Sequence, residues 1–408
     1  MQALRKILDK VGKDFQHGGK FERFHAVYDM HDTILYTPSD VTKSGSHVRD
    51  GMDLKRMMFT VVIAMLPIVG MALYNTGYQA NLVLQGSEKA ALDAWQMTLY
   101  QALGFGFDPN SFIANVVLGL VWFGPVFAVT AVAGGIVEVI NAVVRKHEVN
   151  EGFLVTMFLI PLICPPTIPL WQVFIATVFG VLIGKEIFGG TGFNILNPAL
   201  VTRAFLFFAY PAEISGDKVW VAADLANADG VSGATWLSKA AVAGMSAEGL
   251  AGLNWMDAFM GFVPGSMGET SALACLIGAV ILIATGIGSW RTMLGVTAGT
   301  FAMASLLNAI GSDSNLFFSV PAHYHFVLGG WALGTVFMAT EPVTSPFTDT
   351  GKAIYGFLIG VLVVLVRVVN PAYPEGMMLA ILFMNMFSPF IDHFFVQANI
   401  KRRIARYA

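Results

Sequence analysis

A threonine hydroxyl in a polar interval and a few charges inside apolar runs are the groups in this chain equipped for chemistry. Thr235 closes the stretch Asp229-Gly230-Val231-Ser232-Gly233-Ala234-Thr235. Gly233 and Ala234 are too small to crowd its hydroxyl, and the backbone can bend at Gly230 and Gly233. That setting suits a threonine that another enzyme must reach and modify. By local pattern the commoner reading is a helix start, with Thr235 or Ser232 capping Trp236-Leu237-Ser238-Lys239-Ala240. Local pattern leaves both readings open.

The charges stand in costlier places. Glu138 follows Gly134-Gly135 within one apolar run and Asp392 sits late in another, while Arg203 and Arg367 lie in two more. An ionised side chain at the centre of a membrane helix costs about 2.5–3.5 kcal/mol on insertion scales, so function is its default explanation. Carboxylates are hard oxygen ligands that suit a small cation or a proton in transit. For Asp392 and Arg367, snorkelling to an interface is the alternative. Gly134 and Gly135 admit either a flat ring or a neighbouring helix close to the backbone, and helix packing is the commoner use. Cys164 and Cys275 lie in apolar runs and read as packing residues, without Cys/His metal spacing. Rossmann and Walker spacings do not occur in context, and basic patches are confined to the chain ends, where lipid head groups explain them. Nucleic acid is not indicated.

The elements that must position these groups are membrane helices. Of 408 residues, 55% are hydrophobic and 12% charged, against roughly 25% charged in a soluble domain; mean hydropathy is +0.65. The fold class is an all-α polytopic membrane protein. Runs long enough to approach the ~20 residues of a spanning helix fall near 57–75, 113–141, 152–166, 169–188, 195–210, 270–288, 292–311, 323–340, 354–369 and 376–397. The first 56 residues are polar and end in Asp53-Leu54-Lys55-Arg56, so no cleavable signal peptide is visible. Lys and Arg crowd both termini, as in Lys401-Arg402-Arg403, which places both in the cytoplasm and requires an even number of spans. Arg145-Lys146-His147, Lys185, Arg291 and Lys352 then fall on the cytoplasmic side. The 211–269 loop carries Lys218 and Lys239 against seven acids and belongs to the periplasm, with Thr235. The chain divides into a cytoplasmic arm (1–56), a first set of spans (57–210), the periplasmic loop (211–269), a second set (270–397) and a basic cytoplasmic tail (398–408).

Asn197-Pro198-Ala199 opens the fifth span and Asn370-Pro371-Ala372 precedes the tenth. The two copies hold equivalent places in two sets of five spans, and an odd number per set inverts one set relative to the other. Such repeats place sites near the midplane at broken helices. Gly189-Gly190-Thr191-Gly192-Phe193-Asn194 and Glu341-Pro342-Val343-Thr344-Ser345-Pro346 interrupt apolar runs with residues poor at continuing a helix. Backbone of that kind is tolerated at membrane depth only where it is buried in protein or lines a cavity; ordinary cytoplasmic connections are the alternative.

Asp229 to Thr235 resembles a flavinylation motif in which FMN is joined through its phosphate to a threonine hydroxyl. The whole chain resembles the B subunits of bacterial sodium-translocating NADH:quinone oxidoreductases, a likeness carried by Ser46-His47-Val48-Arg49-Asp50, Val144 to Gly152, Arg203 to Pro211 and Arg367 to Gly376. The resemblance implies ten spans in two inverted five-helix repeats. It also implies covalent FMN on Thr235, within Ser232-Gly233-Ala234-Thr235, installed by a flavin transferase. Riboflavin near Asn197, ubiquinone around Gly134, Gly135 and Glu138, and Na⁺ coupling through Glu138, Glu341 and Asp392 follow from the same resemblance. Glu341 departs from the aspartate expected there, and Phe193 stands where arginine is expected. The implied setting is the bacterial inner membrane, in a six-subunit complex with the A, C, D, E and F subunits. Two other classes fit parts of the pattern: the D subunit of the related ferredoxin:NAD oxidoreductase complex, and a secondary transporter with no redox role.

Overall fold

The computed structural model describes residues 2–15, 18–25, 28, 54–86, 88–145, 152–227, 233–370 and 373–407. Ser232, with Asp229, Gly230 and Val231, lies outside the described residues. So do Ser46 to Asp50, Lys146 to Glu151, and Pro371-Ala372 of the second Asn-Pro-Ala copy.

Among the described residues the chain is helical and contains no strand. An amphipathic helix α1 (Gln2–Phe15) precedes α2 (Leu54–Gly86), α3 (Phe112–Arg145), α4 (Gly152–Leu162), α5 (Leu170–Gly184) and α6 (Pro198–Ala209). After the short α7 (Trp236–Ala243) come α8 (Ala272–Ala284), α9 (Trp290–Ile310), α10 (Asp349–Val369) and α11 (Met377–Tyr407). Six of these are long and apolar enough to cross a membrane, α5 when extended to Phe188, and α4, α6 and α8 are shorter apolar helices. The protein is an all-α polytopic membrane protein. Helix starts carry their signals in sequence: Asn197, Ser271, Ser289 and Thr348 each accept a backbone N–H from the first turn.

Three expected spans change shape. The first, read as 57–75, continues to Gly86 because its polar residues are matched inside the protein. Asn75 donates to the Val263 carbonyl at 2.9 Å and Asn81 to Asn115 Oδ1 at 2.7 Å. The eighth, read as one helix over 323–340, is broken into Ala322–His325, Trp331–Leu333 and a π-turn Gly334–Met338, with Gly329 in the left-handed region. Its freed carbonyls at His325 and Leu328 accept from the Arg367 guanidinium, each at 2.8 Å. That pairing supplies the bonds a broken helix lacks at membrane depth. The tenth does not stop at 397, since α11 runs on through the exposed Lys401, Arg402, Arg403 and Arg406, cations favoured at a helix C-terminus.

Glycine seams hold the helices together. A Cβ on Gly295 or Gly299 of α9 would strike the backbone of α10, and one on Gly356 or Gly360 of α10 would strike α9. The spacing is Gly-x-x-x-Gly on both helices, which lets backbones touch where lipid gives no hydrophobic drive for association. Gly77 of α2 meets Asn115 of α3 and Gly119 of α3 meets Leu73 of α2 in the same reciprocal way. Gly278 of α8 approaches the Ala64 carbonyl of α2, joining the two halves of the chain. Gly360→Leu should therefore force α9 and α10 apart and destabilise by at least ~1–3 kcal/mol, the usual effect of overpacking. Thermal unfolding of the purified protein in detergent reads this as a lowered midpoint; an unchanged midpoint would show that the seam is not tightly packed.

Candidate functional site

The two interruptions meet at one carboxylate. Gly189, Gly190 and Gly192 all take positive φ and turn the chain sharply between α5 and α6. This brings Asn194 and Asn197 against Glu341, about 150 residues later in the chain. Asn194 Nδ2 donates to Glu341 Oε1 at 3.1 Å and Asn197 Nδ2 to Oε2 at 2.8 Å. Thr344, one turn beyond Glu341, donates to Oε2 at 2.9 Å. Asn197 is fully used, because its Oδ1 also caps α6 by accepting from Leu200 N at 3.2 Å. Neutral donors thus hold Glu341, and Phe193, 70% exposed, adds no ionic contact at the turn.

A cavity of about 70 Å³ opens beside this clasp and is lined by Asn194, Asn197, Glu341, Lys185, Thr191 and Thr156 among others. Lys185 Nζ donates to Thr191 Oγ1 at 3.1 Å, pairs with Glu138, and lies 3.6 Å from Glu186 Oε1. Arg145 approaches the other Glu186 oxygen at 3.7 Å. By its place in the sequence Lys185 reads as an orienting surface charge; it is buried, because two buried carboxylates require a cation within reach. The glycine pair divides its roles. A side chain on Gly134 would collide with the Phe153 ring, whereas Gly135 has nothing within 4 Å of where its Cβ would stand.

Asp392 and Arg367 do not snorkel. Arg367 is fully buried, and besides the two carbonyls of the broken eighth segment its Nε donates to Glu375 O at 3.1 Å. Asp392 accepts from Phe347 N at 2.5 Å, Thr348 N at 3.1 Å and Thr348 Oγ1 at 2.5 Å. It therefore pins the end of the second interruption, and the start of α10, to α11.

Thr235 is the N-cap of α7. Its Oγ1 accepts from Ser238 N at 3.2 Å and lies 3.1 Å from Ser238 Oγ. The hydroxyl expected to stand open is only 7% exposed as a residue, because capping turns it toward the protein, where it borders two cavities. The larger, about 230 Å³, is lined by Arg203, Phe207, Trp220, Thr235, Tyr373 and Glu375 among others. The other, about 20 Å³, adds Glu269 and Thr270. Gly233 serves close approach rather than bending: a Cβ there would meet the Asp217 carbonyl and Leu225. Ala234 is buried beside it. Arg203 donates to the Ile163 carbonyl and to Ser266 Oγ at 3.1 Å, and pairs with Glu269 at 3.4 Å. Phe207 and Tyr373 pack edge to face with centroids 4.5 Å apart.

Helix α6 joins the two regions. Asn197 lines the first cavity, Leu200 and Arg203 a small one of about 10 Å³, and Arg203 and Phe207 the one at Thr235. These positions recur every three to four residues and so form one face of the helix. From Asn197 to Arg203 is about 9 Å along the axis. Sequence reading overlooks Lys185, Glu186, Glu269, Tyr373 and Glu375 as partners. A charge pair inside the apolar run 169–188 is the available signal for Lys185 and Glu186; nothing local marks Tyr373.

Fold and sites together define a multi-pass helical membrane protein whose interrupted segments meet at a carboxylate in its interior. Over residues 41–401 the chain matches the family described as NQR2, RnfD, RnfE, and it belongs to that family. Its relatives include proteins named as the B subunit of Na(+)-translocating NADH-quinone reductase. The one from Chromohalobacter salexigens is 58% identical across 100% of this chain and 97% of its own length. Those from Azotobacter vinelandii and Pseudomonas aeruginosa are 56% and 55% identical, with 99% of each chain covered.

Asp392→Ala should strand three donors at the start of α10 and cost about 1–3 kcal/mol. The check is the thermal midpoint of the purified protein, with Asp392→Asn retaining part of the loss. An Ala variant as stable as the parent would show that the loop holds its place without the carboxylate.

Proposed function

We propose that this chain is the membrane subunit of a Na⁺-translocating NADH:ubiquinone oxidoreductase, passing electrons from FMN on Thr235 through riboflavin to ubiquinone. The relatives' names and their end-to-end match support the sodium-linked quinone reductase reading. The ferredoxin-linked D subunit falls in the same family description, yet the relatives from the sodium-translocating complex match over 97–99% of their own length. A transporter without redox role finds no support in those names.

One observation carries the flavin assignment: Thr235 Oγ1 stands at once on the N-terminus of α7 and on the edge of a cavity of about 230 Å³. Cofactor sites pair apolar walls with a few well-placed polar groups. Phe207, Trp220 and Tyr373 offer flat apolar surface, and Arg203 a cation. A phosphate joined to Thr235 would meet the positive end of α7 and the Ser238 N–H. When bound, flavins take up and release electrons; the chain's own residues anchor, enclose and electrically bias them.

In the other cavity the amides of Asn194 and Asn197 would flank riboflavin; apart from that cavity, the open space beside Gly135 would admit a quinone ring. Glu138, Glu341 and Asp392 are the proposed sodium-linked acids. Glu341 is the best placed, since neutral donors hold it and a cation can join without displacing a partner. Asp392 acts through the loop it holds. Exporting one Na⁺ against ~100 mV costs about 2.3 kcal/mol, which an electron falling through a similar potential supplies. On this reading the chain sits in the bacterial inner membrane, both termini cytoplasmic and Thr235 periplasmic, assembled with five other subunits and matured by a flavin transferase.

Thr235→Val should abolish covalent flavin while costing only ~1 kcal/mol as a lost cap, and Thr235→Ser should keep the anchor. In-gel flavin fluorescence of the denatured polypeptide tests this; fluorescence persisting in the valine variant would sink the assignment. Glu341→Gln should raise the Na⁺ concentration for half-maximal quinone reduction by about tenfold, ~1.4 kcal/mol. An unchanged Na⁺ dependence would remove the clasp from the sodium path.

A further inference from the structure

Arg203 carries a buried charge that neither the anchoring of flavin nor the sodium-linked acids account for. It lies in the middle of α6, and all its protein partners come from elsewhere in the fold: the Ile163 carbonyl just beyond α4, Ser266 and Glu269. Those contacts fix the guanidinium in place. The cavity it lines is the one that Thr235 borders. Among the described residues of that lining, Arg203 is the cation and Glu375 the carboxylate, the rest being neutral. Glu269, its ion-pair partner, lines the two neighbouring cavities instead.

We propose that Arg203 sets the reduction potential of the flavin joined to Thr235 by stabilising the ring once it becomes an anion, with Glu375 acting in the opposite direction. The inference rests on Thr235 being the attachment site. Uptake of two electrons and one proton converts the neutral oxidised ring into a monoanion. The electrons originate in NADH and the proton in water, and no bond to the protein forms or breaks. A cation already held in position stabilises that new charge without reorganising when it appears, and interacts far less with the neutral ring. The guanidinium is itself buried, and at a buried charge such an interaction is stronger than in bulk water. Arg203 therefore raises the potential, and Glu375, facing the same space with the opposite sign, lowers it. Glu269 tempers the arginine without cancelling it, because the guanidinium borders the flavin's cavity and the Glu269 carboxylate does not.

The test is a spectroelectrochemical titration of the covalent flavin in the purified, flavin-loaded complex. Attachment is first verified by in-gel fluorescence of the denatured polypeptide. Arg203→Gln should lower the midpoint potential by at least about 30 mV, a tenfold weakening of a two-electron reduction equilibrium. Arg203→Lys, which keeps the charge, should recover most of that shift. Glu375→Gln should move the midpoint upward, a reversal that general damage to the site would not produce. Should Arg203→Gln fail to assemble because Glu269 loses its cation, the paired Arg203→Gln/Glu269→Gln variant removes both charges and should still show the downward shift. Midpoints that stay put while the flavin remains attached would overturn the role of Arg203. Absence of covalent flavin from the unaltered chain would instead overturn the attachment reading on which it rests.

Discussion

The hydrogen bonds from Asn194, Asn197 and Thr344 to Glu341 are the contact on which the rest of the molecule depends. Each interruption leaves backbone and side-chain polar groups inside a protein surrounded by lipid, where an unmatched group is costly. Neither segment is self-sufficient. Brought together, the amides of one and the carboxylate of the other satisfy each other, and the chain can stay non-helical at that depth. Asp392 extends the same logic by holding the residues that follow, 347 and 348, against α11. The cavity beside the clasp exists because helices do not run through it.

From that fixed point α6 reaches toward Thr235. It begins at Asn197, which is both its cap and a member of the clasp, and it ends beyond Phe207 at the second large cavity. Arg203 lies between, tied to the Ile163 carbonyl before the polar loop and to Ser266 and Glu269 at the loop's end. A short helix capped at one site and wedged at the other makes the separation of the two sites a property of the helix itself. On the proposed electron path this would fix the distance between the two flavins, since α6 is too short to bend appreciably. Arg367 plays the matching part in the second half, filling the break of the eighth segment with bonds to three carbonyls.

Much of this is legible from residues alone, and what is not has a physical reason. Apolar runs locate the spans, and Asn197-Pro198-Ala199, read as opening the fifth span, does open α6 with Asn197 as its cap. Both interruptions are visible as glycine and proline clusters. Their pairing is not, because Asn197 and Glu341 are 144 positions apart and nothing local links them. Lys185 looks like a surface charge near a span end; only the fold shows Glu138 and Glu186 around it. Polar residues such as Asn75 and Asn81 seem in sequence to end the first span, since a reader of sequence cannot see the partners that let them stay inside. By local pattern Thr235 reads first as a cap, and the structure shows the cap directly. The two roles are compatible, because a capping oxygen at a cavity's edge is also held in place for modification.

The proposed electron path therefore turns on whether that oxygen carries a flavin. The most direct measurement is the intact mass of the purified chain, followed by mapping of the peptide that contains Thr235. The expected result is one added FMN less one water, located on Thr235. An unmodified mass, or the same addition on another residue, would contradict it.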